Sequence, residues 1–125
     1  MKKIILDTNF LMIPYQFKVD IFDEINRIVE EKYDLITLDS VIKELKGLMK
    51  SKGKDAIAAK IGLELIKRKR IKIVKIKEKK TDDAILKLAN ENTIIATNDR
   101  LLIQRLKNRN IRIIYLRGRK HLSLS

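Results

Sequence analysis

Short apolar runs alternate with amphipathic stretches along the whole chain. Residues 2–7 (KKIILD) read as a short buried strand. Residues 19–31 place Phe22, Ile25 and Val29 on one helical face, with Asp20, Asp23 and Glu24 in the first turn. Residues 34–38 (DLITL) form a second strand. Asp39 or Ser40 can cap the helix that follows, whose stripe is Val41, Leu45 and Leu48. Residues 54–69 predict another helix, with Ile57, Ile61 and Leu65 at spacing four. Residues 71–76 (IKIVKI) alternate like a strand with one solvated face. Thr81 is placed to cap a helix bearing Ile85, Leu88 and Ala89. Residues 93–97 (TIIAT) are a short apolar strand, Asn98 or Asp99 caps a helix through Leu102 and Leu106, and residues 111–116 (IRIIYL) are the last strand.

Strands and helices in alternation, joined by short connections, define an α/β fold with a mainly parallel sheet. A chain of 125 residues fits one domain with a real core. In such folds ligands bind beyond the carboxyl ends of the strands. The residues just after each strand are therefore the ones to inspect.

Composition narrows the chemistry. There is no Cys, which excludes disulfides, thiol nucleophiles and Cys-type zinc sites. The single His121 lies near the end of the chain, a poor place for a histidine base. No apolar stretch approaches the ~18–20 residues of a membrane span, so no membrane partner is expected. Two lysines and three apolar residues before Asp7 are too few for a signal peptide, and a cytoplasmic location is the expectation.

The formal net charge of +13 is unevenly distributed. Residues 1–42 carry 5 basic and 8 acidic residues, and residues 81–99 carry 1 and 4. Residues 43–80 carry 15 and 4, and residues 100–125 carry 8 and none. Two basic blocks thus alternate with two acidic ones, a pattern that suits a polyanion-binding surface beside a carboxylate-rich site.

Four carboxylates fall near the predicted strand ends: Asp7, Glu44, Asp82 and Asp99. None has a basic residue three or four positions away within its own helix, and each neighbours apolar positions. Taken singly, each has a plainer reading as a turn residue, a helix N-terminal charge or a cap. Gathered in one half-buried cleft, they would repel one another and raise their pKa values, a conflict that a divalent cation resolves. Oxygen-only ligands favour Mg²⁺ or Mn²⁺ over zinc.

The same residues carry a resemblance. ILDTN with Asp7, LDSVIKEL with Glu44, TDDAILKLA with Asp82, Ile85 and Ala89, and IIATNDRLL with Thr97 and Asp99 resemble, in order, the four acidic motifs of PIN-domain nucleases. The similarity spans essentially the whole chain. Within that family, the segments around residues 7–22 and 96–121 look most like the small-subunit ribosomal RNA processing nucleases of archaea and eukaryotes. VapC-like toxins are more distant.

The resemblance implies a single three-layer PIN-like domain over residues 1–125, with about five strands in the order 3-2-1-4-5 flanked by helices. A basic tail would occupy about residues 117–125. It implies a divalent-metal-dependent endoribonuclease acting in ribosomal RNA processing, with pre-rRNA or ribosomal particles as partners. The alternatives are a VapC-like toxin of a toxin–antitoxin pair and a catalytically weak RNA-binding scaffold. Asp7, Glu44, Asp82 and Asp99 would hold one or two Mg²⁺ or Mn²⁺ ions. Thr8, Asn9, Ser40, Asp83, Thr97 and Asn98 would orient them. Arg100, Arg105, Arg109, Arg112, Arg117, Arg119 and Lys120 would contact RNA, mainly through phosphates. The uncharged segment from Phe10 to Phe17 reads first as core, with a homodimer or partner surface as the alternative.

Overall fold

The computed structural model describes residues 1–125. Its centre is β1 (Lys2–Leu6), whose Ile4, Ile5 and Leu6 are fully buried. A strand that apolar has neighbours on both edges. They are β2 (Tyr33–Leu38) and β4 (Thr93–Ala96), both parallel to it. β3 (Lys72–Val74) extends the sheet beyond β2, and β5 (Arg112–Arg117) extends it beyond β4. The expected order 3-2-1-4-5 is present, followed by a strand the pattern did not foretell. β6 (His121–Leu124) pairs antiparallel with β5 and gives β3-β2-β1-β4-β5-β6. The C-terminal segment expected as a basic tail is therefore the turn and outer strand of a hairpin.

Helices flank the sheet. α1 (Thr8–Leu11) and α2 (Ile13–Phe17) follow β1 directly. Pro14 sits in the first turn of α2, where its missing N–H costs nothing, and Lys18 ends that helix in the left-handed region at φ 56. Phe10, Leu11, Met12 and Ile13 join the core, and Tyr15 and Phe17 pack against it, so the core reading of this segment holds. α3 (Ile21–Ile28) is shorter than the predicted span of 19–31: Asp20 caps its start through the Phe22 and Asp23 N–H groups, and Val29 leaves it in an extended conformation.

α4 (Asp39–Met49) packs against α5 (Lys54–Arg68). Asp39 does not cap α4; it accepts the Ile76 N–H at 3.2 Å instead. The stripe expected to bury α5 is also displaced. Ala58, Ala59, Gly62 and Ile66 face inward, while Ile57 is 44% exposed. A β-carbon on Gly62 would stand 2.9 Å from the Leu11 carbonyl oxygen. Small residues let α5 lie against the backbone of α1, so close approach overrides the larger isoleucines. β3 is half its predicted length, and Ile73 is 48% exposed at this sheet edge. α6 (Thr81–Leu88) precedes β4 and α7 (Arg100–Asn108) precedes β5. No helix is long and apolar enough to cross a membrane.

Candidate active site

The parallel strands end together, and the residues that follow them meet there. Asp7 leaves β1 and opens α1. Its Oδ1 accepts the Thr8 N–H at 2.8 Å. Its Oδ2 accepts the Thr97 hydroxyl at 2.7 Å and the Asn9 side-chain amide at 3.2 Å. Only 4% of Asp7 is exposed. Burial pushes its carboxyl up from 3.8 to about 6; the bonds from Thr97 and Thr8 pull the other way, and the charges of Asp82 and Glu44 add to the rise.

Glu44 projects from α4 toward the same place. Its Oε1 accepts the Thr8 hydroxyl at 2.6 Å, and its Oε2 accepts the Thr81 hydroxyl. Ser40 Oγ lies 2.8 Å from Thr81 Oγ1. With one proton to give, Thr81 donates to the carboxylate and accepts from Ser40. Thr81 looks like a helix cap from the sequence, but the structure gives it no capping bond. It is the site residue that sequence reasoning missed. Its only sequence signal is its place immediately before two aspartates.

Asp82 stands in the first turn of α6, half-buried. Its pKa is raised by burial first, then by the charges of Asp99 and Glu44, against a lowering contribution from Arg105. Asp83 is exposed and makes no hydrogen bond to the other acids, so an orienting role does not fit it. Asp99 caps α7: its Oδ1 accepts the Leu101 and Leu102 N–H groups at 3.0 and 3.2 Å, and its Oδ2 takes no protein hydrogen bond. The plain reading of Asp99 as a cap and its nearness to Asp82 are both true.

Thr97 links the two sides of the cleft, since the oxygen that donates to Asp7 also accepts the Asp99 N–H at 3.1 Å. Asn9 accepts the Asn98 N–H at 2.9 Å. Asn98 accepts from Leu116 N–H at 2.9 Å, so its side chain ties the loop to β5 and orients no carboxylate.

The seven cations expected on RNA divide. Arg109 donates to the Leu86 and Ala89 carbonyls at 2.6 and 3.2 Å and closes the end of α6. Arg112 pairs with Glu31 at 2.6 Å. Both are engaged in the fold. Arg100 begins α7 and is exposed, but it is Arg105, further along that helix, whose charge reaches Asp82. Arg117, Arg119 and Lys120 are exposed around the β5–β6 turn, with the Arg119 guanidinium 5.4 Å from the Phe17 ring centroid.

These four carboxylates, linked through the charges that reach Asp7 and Asp82, supply only hard oxygen donors, and burial penalises the charge of Asp7 and Asp82. By donor chemistry this set fits a divalent cation such as Mg²⁺ or Mn²⁺. As the side chains stand, no three acidic groups are close enough to share one ion. Binding through three of them needs at least one carboxylate to turn inward.

A parallel sheet in this order with acidic residues at its carboxyl ends defines the class. The profile of the family described as PIN-like domain matches residues 4–119, and the chain belongs to that family. Two relatives give the comparison detail. The chain is 37% identical to ribonuclease VapC4 of Methanocaldococcus jannaschii over 129 aligned residues, covering 99% of this chain and 97% of that protein. It is 32% identical to ribonuclease VapC9 of Archaeoglobus fulgidus over 118 residues, covering 93% and 84%. Among solved structures, the PIN-domain endonuclease Utp24 superposes with a TM-score of 0.75 at 25% identity, covering 98% of this chain and 90% of that one. A domain of a functionally unknown Methanocaldococcus jannaschii protein shares the fold, with a TM-score of 0.58 at 19% identity.

Proposed function

We propose that the protein is a divalent-metal-dependent endoribonuclease that hydrolyses RNA phosphodiesters at the cleft formed by Asp7, Glu44, Asp82 and Asp99. One observation carries this reading: the charges of Glu44 and Asp82 act on a buried Asp7 at the carboxyl ends of the strands, and the charge of Asp99 acts on Asp82. The ribonuclease names of the two relatives support RNA as the substrate.

Asp7, Asp82 and Asp99 would hold the ion, with Glu44 completing the set. Thr8 N–H and the Thr97 hydroxyl keep Asp7 aimed into the cleft, and Thr8 and Thr81 do the same for Glu44. Capping α7 with one oxygen leaves Asp99 the other. Arg105 and Arg100 face the substrate phosphates, and Arg117, Arg119 and Lys120 hold the flanking strand. A bound divalent cation supplies positive charge beside the phosphate and a water of lowered pKa.

Two biological settings follow, and one experiment separates them. Ribosomal RNA maturation is the setting expected from the motif resemblance. The VapC names of both relatives favour a toxin ribonuclease. RNA crosslinking in cells, comparing wild type with Asp7→Asn, reads the target. Enrichment of ribosomal precursor supports maturation. Enrichment of mature transfer or messenger RNA, with growth arrest on expression, supports the toxin. No RNA above background would remove both and leave the ribonuclease reading unsupported.

A further inference from the structure

Two adjoining cavities open on one face of β1, β2 and β3, lined mostly by residues toward the amino-terminal ends of the strands. The first has a volume of about 440 Å³ and is lined by Lys3, Asp34, Ile36, Lys69, Arg70 and Lys72 among others. The second, of about 420 Å³, shares Lys3, Ile36 and Val74 with it. Strand register explains the shared face. Lys3 pairs with Asp34, and Ile36 with Lys72, and paired residues point the same way from a sheet. Most of these residues lie in the amino-terminal parts of their strands or just before them. The four carboxylates lie beyond the opposite ends.

The result is a groove with an apolar floor and a cationic rim. None of Lys3, Lys69, Arg70 or Lys72 takes part in an ion pair within the protein. Asp34 is the only carboxylate lining the first cavity. Arg70 holds a left-handed conformation, φ 52, at the junction between α5 and β3. Lys69 Nζ lies 5.3 Å from the Phe22 ring centroid, which leaves Lys3, Arg70 and Lys72 as free cations beside apolar surface, and these suit a polyanion that also carries flat apolar groups. Single-stranded RNA offers regular phosphates and base faces together. An acidic peptide offers the charge alone.

We propose that this groove is a second RNA-contacting surface, which holds the backbone of a substrate strand outside the catalytic cleft. It deepens the ribonuclease reading and rests on it for the identity of the strand.

Binding is measured by fluorescence anisotropy of a labelled single-stranded RNA, in the Asp7→Asn background and without added metal. Arg70→Glu/Lys72→Glu is compared with Lys60→Glu/Lys107→Glu, an equal charge change at exposed positions outside the groove. The groove variant is expected to bind at least about tenfold more weakly than the control variant. Its plot of log K against log salt should flatten by about 1.4, at ~0.7 for each lost phosphate contact. Equal weakening in both variants, or none in either, overturns the proposal. So does competition by polyglutamate as strong as by unlabelled RNA, which would assign the groove to an acidic protein. Arg70→Gln/Lys72→Gln replaces the charge reversal if the latter lowers the melting temperature. Binding is read without cleavage, so an RNA-binding groove on a chain that never cleaves would refute the ribonuclease reading and leave the groove standing.

Discussion

At Asp7, burial opposes the charge that the proposed metal-binding role requires. Its folded pKa, about 6, lies above the ordinary 3.8, so the folded protein binds this proton more tightly than the unfolded chain does. The contribution of Asp7 to stability is therefore most favourable where Asp7 is protonated and falls as pH rises from about 4 through about 6. A rise of that size corresponds to at most about 3 kcal/mol. Asp7→Asn should raise the melting temperature of the metal-free protein at pH 7, and the gain should vanish at pH 4. Melting curves at both values check this, and an equal gain at both would contradict the burial argument. At Thr81, removing the hydroxyl leaves Glu44 with one fixed oxygen instead of two. Thr81→Val should cut cleavage by about 5- to 30-fold, in line with losing ~1–2 kcal/mol of a bond to a charged group. It should also raise the Mn²⁺ concentration needed for half-maximal activity, while Thr81→Ser restores both. Unchanged Mn²⁺ dependence in Thr81→Val would rule out this positioning role. Asp7, Glu44, Asp82 and Asp99 were legible in the sequence because each follows a strand. Thr81 was not, because a threonine before a helix has the same appearance whether it caps the helix or reaches across to α4.

At the level of elements, the strands were the most legible part and the small-residue face of α5 the least. Periodicity counts large apolar residues, so it selected Ile57, Ile61 and Leu65. Backbone contact instead selects residues without bulk, and Gly62 meets Leu11. Gly62→Ala should destabilise the fold by about 1–3 kcal/mol through overpacking. Gly47→Ala on α4, where a β-carbon meets nothing within 4 Å, should stabilise by up to about 1 kcal/mol. Denaturant titration of the pair checks the contrast, and equal effects would contradict the close-approach account. β6 was missed for a different reason. HLSL has little apolar signal, and long-range contacts hold it. Glu24 Oε1 accepts the Leu122 N–H at 2.9 Å and Arg27 donates to the Leu122 carbonyl at 3.4 Å, which also covers an open sheet edge. The Arg27 guanidinium, with smaller help from Leu122 and His121, holds Glu24 well below the usual carboxylate range, at about 2. Glu24→Ala should speed amide exchange at Leu122 without changing it at Ile4. Unchanged exchange at Leu122 would mean that pairing with β5 alone holds the strand.

Across the whole molecule, the net charge of +13 separates into cations with different duties. Arg109 and Arg112 serve the fold, Arg105 faces the acids, and Arg117, Arg119 and Lys120 surround the β5–β6 turn. Charge blocks in the sequence could not make that division, because a partner 20 or more residues away decides whether an arginine is free. What the blocks did convey is the arrangement of a small negative centre among positive surfaces. That arrangement is productive only if a cation reconciles the carboxylates with a phosphate. The most direct test is cleavage of a labelled RNA by the purified protein, with Mn²⁺ or with EDTA, beside Asp7→Asn of confirmed fold. Cleavage by wild type in Mn²⁺, abolished by EDTA and by Asp7→Asn, is the expected result. Cleavage that persists in EDTA, or in the folded Asp7→Asn protein, would contradict metal-dependent catalysis at this cleft.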